Sequence, residues 1–311
     1  MGPGRPFTDA CRKTANQKRA AVTELLQYVL SGVTVGAAYA LVALGFTIIY
    51  NASDVVNFAQ GEFVMLGGMV TFFAWQAGVP LPLAAMLAIT VAVVVGVLLN
   101  KLAIERASGA PVVSLIIITI GASIFLRGAA QLVFDKQLHR FPAFSGDEPI
   151  SIGGATILPQ SLWVLAVAIA VFAGLYVFFT RTLTGKAILA TANNSTAARL
   201  VGINTNYMMS LSFALSAAIG ALAGIVMTPI SLTSYDLGVG FALKGFAAAM
   251  LGGMGSPLGA LAGGLLLGLV EALTAGYISS VYKEAVAFIV ILAVLFAMPQ
   301  GLFGRKSVER T

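Results

Sequence analysis

The sequence predicts an all-α fold, a polytopic transmembrane helical bundle. Of its 311 residues, 59% are hydrophobic and only 10% are charged, whereas a soluble domain carries about 25% charged residues. The hydrophobic residues also form long runs, close to the roughly 20 residues that a helix needs to cross a bilayer. A chain of this composition has too few polar groups to cover a water-exposed surface, so we expect a multi-pass membrane protein.

We expect about eight to nine membrane segments within a single domain, residues 21–304. Nine apolar runs qualify: 25–49, 55–77, 81–99, 112–132, 161–179, 207–229, 238–254, 257–276 and 284–300. The connections at 100–110 and 181–206 and the tail at 305–311 are rich in Lys and Arg, which the positive-inside rule assigns to the cytoplasm. The loop 133–160, of mixed charge, then lies outside.

The N-terminal residues 1–20 carry five basic residues and predict a basic, disordered tail. The apolar run that follows is too long for the hydrophobic region of a signal peptide. Nine full crossings would place this tail outside, against the positive-inside rule. Either the tail is exported, or one of the glycine-interrupted segments is re-entrant.

Residues 51–69 place four polar side chains, Asp54, Asn57, Gln60 and Glu62, inside an apolar stretch. Ionisable groups in hydrocarbon cost roughly 2.5–3.5 kcal/mol, so they face a cavity, a partner or the bundle interior. We expect Asp54 to cap a helix N-terminus and to share one helical face with Asn57 and Gly61. The other three side chains either join helices or line a polar path.

An internal repeat supports a path. The run Met65-Leu-Gly-Gly-Met69 recurs as Met250-Leu-Gly-Gly-Met254, and each copy ends a segment that opens with an acid, Asp54 or Asp236. Paired glycine-interrupted segments in two halves point to the binding site of a transporter. The candidate residues of the translocation path are therefore Asp54, Asn57, Gln60, Glu62, Asp236, Lys244 and Glu271. Glu62 and Lys244 occupy matching segments with opposite charge. Either they form an ion pair across the pseudo-symmetry axis, or each side chain reaches water separately.

Other residues have plainer interpretations. The spacing of Gly263, Gly264 and Gly268 predicts close helix packing. Arg127 is expected to extend its side chain to the membrane interface. His139 has no carboxylate or cysteine at ligand spacing, so we expect a solvated loop histidine. We find no cofactor or metal site, no nucleophile–base arrangement and no phosphate-binding Walker motif, since Gly185-Lys186 is followed by Ala187.

The segment 181–206 predicts a short helix over residues 196–201. Asn194 or Ser195 can cap its N-terminus, and Gly202 can end it in the left-handed conformation. Such a helix exposes Ala197, Leu200 and Val201. It then needs a partner, which in a transporter is a motor protein; the alternative is a helix that lies on the membrane interface.

Four motifs in register carry a resemblance: Asn57-Phe-Ala-Gln-Gly-Glu62, the loop from Gly185-Lys-Ala to Gly202-Ile-Asn-Thr205, the run Ala248-Ala-Met-Leu-Gly-Gly-Met-Gly-Ser256, and Met298-Pro-Gln-Gly-Leu-Phe-Gly304. Over residues 25–305 the chain resembles branched-chain amino-acid ABC transporter permeases, closest to the H-type permease of the high-affinity Liv system.

The resemblance implies a permease subunit of an importer in the bacterial inner membrane, not an enzyme. It implies four kinds of partner: a second permease, two cytoplasmic ATPases, a periplasmic binding protein and the lipid bilayer, with no nucleic acid. The segment 181–206 then resembles the coupling helix that docks on the ATPase. Its candidate residues are Gly185, Lys186, Asn193, Asn194, Ala197, Leu200, Val201 and Gly202.

Two positions depart from the family pattern. Asn193 or Asn194 stands where coupling loops often carry an acid, so apolar docking gains importance. Gln60 stands where many relatives have His, so protonation at that position is not part of the mechanism. Two alternatives stay open: a permease for urea, short amides or other amino acids, and, in another class, a stand-alone secondary transporter or channel.

Overall fold

A computed structural model describes residues 6–107 and 109–304, with residues 6–20 described as backbone only. The described chain is almost entirely helical. Its helices are α1 (Pro6–Ser53), α2 (Gln60–Gln76), α3 (Leu81–Leu99), α4 (Val112–Val133), α5 (Pro159–Arg181), α6 (Leu183–Asn193), α7 (Ser195–Leu200), α8 (Thr205–Ser231), α9 (Leu237–Gly252), α10 (Pro257–Tyr277) and α11 (Lys283–Ala297). A π-helical turn, Asn100–Ile104, continues α3.

Six helical stretches are long and apolar enough to cross a membrane: Ala21–Ser53, Leu81–Ile104, Val112–Val133, Pro159–Arg181, Thr205–Ser231 and Pro257–Tyr277. The other three predicted segments are also helices, but shorter ones. Helices α2, α9 and α11 have 17, 16 and 15 residues. The helical class is thus confirmed, whereas the predicted number of eight to nine crossings is not.

The predicted tails lie partly outside the described residues. Residues 6–20 form the first turns of α1. Residues 1–5 and 305–311 lie outside the described part of the chain.

The loop 133–160 adds a small element of β-structure. Strands β1 (Ile150–Ile152) and β2 (Ala155–Ile157) form an antiparallel hairpin. Gly153 and Gly154 join them with φ of 60° and 92°, the backbone that two-residue hairpin turns require. This hairpin is a local addition to an otherwise helical chain, so the all-α class still holds.

The hairpin and α6–α7 mark the two opposite faces of the bundle, because the 23-residue helix α5 separates them. We call these the hairpin face and the α6–α7 face. Near its start, α1 reaches the hairpin face, where the Gln27 side chain donates to the Thr156 carbonyl (2.9 Å) and accepts from its N–H (2.7 Å). At its other end, the Asn51 amide donates to the Gly255 carbonyl (2.9 Å), just before α10. The membrane part of α1 therefore enters from the hairpin face.

Small residues bring α1 and α10 into backbone contact. A β-carbon on Gly268 would overlap the backbones of Gly32 and Gly36, and one on Gly264 would overlap Ala40. Glycine permits this approach in membrane helices, where close van der Waals packing drives association. The predicted role of these glycines in helix packing is confirmed. Besides α10, helix α1 contacts α2, α5, α6, α8 and α9.

His139 is not a solvated loop histidine. Its ring stacks on Phe72 with centroids 4.2 Å apart and meets Phe73 edge-on. The ring also hydrogen-bonds the Asp135 carboxylate, which, with a bond from the Gln137 N–H, lowers the pKa of Asp135. The His139 backbone pairs with Thr233, so this residue ties the loop to the end of α2 and to the segment after α8.

We predict that Gly268→Ala lowers the free energy of unfolding in detergent by about 1–3 kcal/mol, because overpacking a tight helix contact costs that much. Gly128→Ala on α4 is the matched control, since no atom lies within 4 Å of an added β-carbon there. The control should change the stability by less than about 0.5 kcal/mol or raise it slightly through helix propensity. Unfolding is measured by circular dichroism. An equal loss of stability in both variants would contradict the packing role of Gly268.

Candidate functional site

The first half of the chain contains a helix break. Helix α1 ends at Ser53, and Asp54 follows with a φ of 54°, a left-handed backbone uncommon for residues other than glycine. The Asp54 N–H donates to the Tyr50 carbonyl (2.8 Å). Asp54 thus terminates α1, and the prediction that it caps a helix N-terminus is wrong. Residues 54–59 are not helical, so Asp54, Asn57 and Gly61 do not share a helical face either.

A matching break follows α8. That helix ends at Ser231, and Leu232 has a φ of 63°. Helix α9 then starts at Leu237, with Asp236 at its N-cap position but without a side-chain capping bond. The Asp236 carboxylate instead accepts a hydrogen bond from the Ser234 hydroxyl (2.6 Å). Each break therefore contains one non-glycine residue with a positive φ, Asp54 in the first and Leu232 in the second.

Helices α2 and α9, which follow the two breaks, meet inside the bundle at their N-terminal ends. A β-carbon on Gly61 would overlap the Gly238 carbonyl, and one on Gly238 would approach the Gly61 carbonyl at 2.6 Å. From this contact α2 runs to the hairpin face and α9 runs to the α6–α7 face. The positive ends of both helix dipoles therefore converge at the crossing.

The Met-Leu-Gly-Gly-Met repeat does not mark this symmetry. Its first copy lies in the middle of α2, where Gly67 packs on Ala221 of α8. Its second copy ends α9, where Gly253 adopts a φ of 100°. The prediction that each copy ends its segment is therefore wrong for the first copy.

Gln60 joins three helices. Its side chain accepts from the Ser216 hydroxyl (2.6 Å) and donates to the Ser216 carbonyl (3.2 Å), while that hydroxyl lies 2.8 Å from the Gly45 carbonyl. Gln60 and Ser216 are both fully buried. Of the two interpretations for Gln60, this geometry supports the structural one, in which the side chain holds α1, α2 and α8 together. Sequence reasoning missed Ser216 because a single serine in a helix carries no distinguishing signal.

Glu62 lies between α2 and α4. One carboxylate oxygen accepts from the Ser123 hydroxyl (2.7 Å) and lies 3.6 Å from the Arg127 guanidinium. The other oxygen is buried, has no hydrogen-bond partner among the described residues, and faces the backbone of Gly238. Arg127 therefore turns inward to Glu62 instead of reaching the interface alone.

Lys244 belongs to a separate cluster. Its ammonium lies 3.0 Å from the Glu271 carboxylate and 3.1 Å from that of Glu284. The Tyr39 hydroxyl donates to the other oxygen of Glu271 (2.7 Å). The predicted pair of Glu62 with Lys244 is wrong, because each residue has a different partner. Tyr39 and Glu284 were not among the predicted site residues.

Asn57 lies in the first break and is fully buried. Its carbonyl oxygen accepts from the Ala59 N–H (3.1 Å), while its amide nitrogen has no partner in the described part of the chain. An unpaired buried polar atom costs about 1–3 kcal/mol. Together with the free oxygen of Glu62, it leaves unused hydrogen-bonding capacity beside the crossing of α2 and α9.

The segment 181–206 forms α6 and α7. Thr182 caps α6 by accepting from the Gly185 N–H (3.0 Å), and Gly185 has no room for a side chain because it packs on Phe178. Lys186 and Asn193 are exposed on α6.

The predicted short helix is confirmed as α7. Asn194 caps it by accepting from the Ala197 N–H (2.9 Å), and Gly202 follows it with a φ of 86°. The side chains of Leu200 and Val201 are 84% and 77% exposed, and Ala197 is exposed as well. This face is apolar and covered by no described residue.

The comparisons with known proteins bear on this architecture. The family model described as "Branched-chain amino acid transport system / permease component" matches residues 28–295. The chain belongs to this family. It is 34% identical to the high-affinity branched-chain amino acid transport system permease protein BraD of Pseudomonas aeruginosa, over 92% of this chain and 97% of BraD. It is 33% identical to LivH of Escherichia coli, over the same shares of the two chains.

A more distant relative is the ribose import permease protein RbsC of Haemophilus influenzae. It is 29% identical, over 82% of this chain and 80% of RbsC. As a branched-chain amino acid transport permease by family, the chain is a multi-pass inner-membrane transport subunit.

A double-mutant cycle tests the assignment of ion pairs in this permease. We predict that Glu62→Gln and Arg127→Met couple by about 1–3 kcal/mol in the free energy of unfolding in detergent, because they share one buried contact. Glu62→Gln and Lys244→Met are the matched control pair. Their effects on the free energy of unfolding should be additive within about 0.5 kcal/mol. Stronger coupling to Lys244 than to Arg127 would contradict the observed pairing.

Proposed function

We propose that the chain is a permease subunit of an ABC importer that carries branched-chain amino acids across the inner membrane. The observation that supports this most strongly is the identity of 34% and 33%, over 92% of the chain, to BraD and LivH. ATP hydrolysis belongs to two separate ATPase subunits. A second, related permease and a periplasmic binding protein complete the transporter.

In this proposal all nine apolar helices, including the short α2, α9 and α11, are embedded in the membrane. The segments that break the helices contribute to the translocation path, with Asp54, Asn57, Gln60, Glu62, Asp236, Lys244 and Glu271 in or beside it. Of their charged side chains, Glu62 and Glu271 are buried whereas Asp54 and Asp236 are exposed, and buried charges in membrane proteins mark transport pathways. Most of these charges are paired within the chain, which suits a cargo without net charge, such as a zwitterionic amino acid.

The α6–α7 segment is the proposed contact with the ATPase. Two large apolar side chains, Leu200 and Val201, are exposed there, and burying such side chains against a partner is favourable by about 1.5–3 kcal/mol each. Closure of the ATPases on ATP would move this segment and shift the permease between inward-open and outward-open states, provided that the ATPase binds the two states with different affinity.

Uptake of labelled leucine in cells with and without the gene tests the cargo. We predict that deletion abolishes high-affinity uptake and that unlabelled isoleucine and valine compete, because the cargo is recognised by an aliphatic side chain. Urea and ribose serve as negative competitors. Competition by urea or ribose instead, with no effect of isoleucine, would reassign the cargo to the alternative substrates of this family.

The coupling role predicts that Leu200→Glu lowers leucine uptake at least about tenfold, since it places a charge in an apolar interface. Val281→Glu is the matched control, because Val281 is 83% exposed on the turn between α10 and α11, far along the chain from α6–α7. Both proteins should reach the membrane in equal amounts by immunoblot. Uptake that survives Leu200→Glu unchanged would favour a transporter that works without an ATPase.

A further inference from the structure

Helix α4 is attached to the bundle by a narrow strip of side chains. Of its 22 residues, only Thr119, Ser123 and Ala130 are buried, and its helical neighbours are mainly α2 and the π-helical turn after α3. Two of these three residues are polar, and Arg127 turns inward beside them with a side chain 31% exposed. Large apolar side chains such as Phe125 cover the outer face instead. Apolar packing alone therefore does not hold α4 in place.

The inward polar side chains of α4 form a stripe. Thr119, Ser123 and Arg127 follow one another at intervals of four residues and so lie on one face of the helix. We call these three residues the α4 polar stripe. Outside α4, the protein groups that they contact all belong to residues 56–62, which are the first break and the first turn of α2.

Thr119 is the contact with the break itself. Its hydroxyl accepts from the Phe58 N–H (3.2 Å), donates to the Ile116 carbonyl of its own helix (2.9 Å) and lies 3.4 Å from the Val56 carbonyl. Since residues 54–59 are not helical, the Phe58 N–H has no intrahelical acceptor, and lipid offers none. The fully buried Thr119 supplies that acceptor from a different helix.

Ser123 and Arg127 contact Glu62 one and two turns further along α4. They engage one oxygen of the Glu62 carboxylate, at 2.7 Å and 3.6 Å. The other oxygen then lies at the start of α9, 3.0 Å from the position that a β-carbon on Gly238 would take. The α4 polar stripe therefore sets where Glu62 lies between α2 and α9.

The conformation that the stripe holds is an unfavourable one. Asp54 has a left-handed backbone, and the Asn57 amide nitrogen and one Glu62 oxygen are buried without a hydrogen-bond partner among the described residues. Unpaired buried polar atoms destabilise the folded state. Strained backbone persists where the surrounding structure over-determines it, and it clusters at functional sites. A break of this kind needs a neighbour that keeps it from relaxing.

We propose that the α4 polar stripe positions the translocation path, with Thr119 as the residue that fixes the shape of the first break. Thr119 acts through the Phe58 backbone on Asn57, and Ser123 acts on Glu62. The inference rests on the proposed function and deepens it, because it names residues outside both breaks on which transport depends. A stripe that only attached α4 to the bundle would leave the rate of transport per assembled protein unchanged.

Leucine uptake in cells that express the chain with its partner subunits tests the stripe. Thr119→Val should lower the maximal rate at least about tenfold, because the Phe58 N–H loses its acceptor. The half-saturating concentration should stay within about twofold, since a lower rate alone marks a change in a step after binding. Rates are divided by the amount of assembled transporter, so that loss of folded protein does not lower them.

Two further variants separate the hydrogen bond from the packing. Thr119→Ser keeps the hydroxyl and should retain the maximal rate within about twofold. Thr90→Val on α3 is the matched control, because the exposed Thr90 hydroxyl donates to the Met86 carbonyl of its own helix (2.8 Å). Its rate should be unchanged. Ser123→Ala, which removes the bond to Glu62, should lower the rate as Thr119→Val does and replaces it if that protein does not assemble.

A cysteine in the break reports its shape without any transport. Val56→Cys is introduced together with Cys11→Ser, which removes the native cysteine, and the full-length chain in lipid nanodiscs is labelled with N-ethylmaleimide. The Val56 side chain is only partly exposed. Adding Thr119→Val should speed the labelling at least about fivefold, because a break that opens locally exposes its side chains. Adding Thr90→Val should not change it.

Three results would overturn the proposal: a normalised uptake rate unchanged by Thr119→Val and by Ser123→Ala, equal losses in Thr119→Val and Thr119→Ser, or labelling of Val56→Cys unaffected by Thr119→Val. Leucine uptake by the unmodified chain separates such a failure from that of the proposed function. Gene-dependent uptake together with unaffected labelling rejects the positioning role alone. Faster labelling without gene-dependent uptake rejects the cargo, whereas the positioning of the break by Thr119 is then supported.

Discussion

The contact between Gly61 and Gly238 is the constraint on which the rest of the structure depends. It allows α2 and α9 to begin inside the bundle, with backbone touching backbone. Helix starts leave N–H groups without intrahelical partners, and here backbone carbonyls of the preceding breaks accept from several of them, such as Asn57 from Gln60 and Ser234 from Leu237. The polar side chains at the crossing bond instead to neighbouring helices. Gln60 ties it to Ser216, and Glu62 ties it to α4 through Ser123 and Arg127.

The same arrangement links the crossing to both faces of the bundle. Helix α2 extends from the crossing to the hairpin face, where Phe72 stacks on His139. Helix α9 extends from the crossing to the α6–α7 face, where the backbone N–H groups of Leu302 and Phe303 donate to carbonyls in its last turn. The end of α1, the end of α9 and the start of α10 lie together beside α6. If the ATPase displaced α6, the displacement would therefore act on all three. This is the physical basis on which we propose coupling between ATP hydrolysis and the path.

Much of the fold could be predicted from local patterns. The apolar runs located the six described helices that are long enough to cross a membrane, and Asn194 with Gly202 bounded α7, because caps and left-handed glycines act within a few residues. The hairpin also had a local signal, since alternating Ile-Ser-Ile and Ala-Thr-Ile flank Gly153-Gly154. The charges of this loop predict its side of the membrane but not its strands. The breaks had a weaker signal: they contain the turn-forming residues Asp54 and Asn57 in one and Ser234 and Asp236 in the other, but neither contains Gly or Pro.

The partners of buried charges could not be predicted for a different reason. Arg127 lies 65 positions after Glu62 and on a different helix, and only the packing of α4 on α2 brings the two together. The internal repeat suggested Lys244 instead, because matching sequence was taken for matching position. The structure instead pairs Gly61 with Gly238, a register that the Met-Leu-Gly-Gly-Met runs do not share. Family membership supplied the transport function, which composition alone left open.

The most direct test of the central claim is uptake of labelled leucine by proteoliposomes that contain the chain co-purified with its partner subunits. With the binding protein outside the vesicles and ATP on the ATPase side, the account predicts accumulation of leucine against its gradient. Replacing ATP with ADP should abolish that accumulation. Leucine entry that is equal with ADP and with ATP would contradict the account. So would leucine entry into vesicles that contain this chain alone, and either result would identify a channel or secondary transporter.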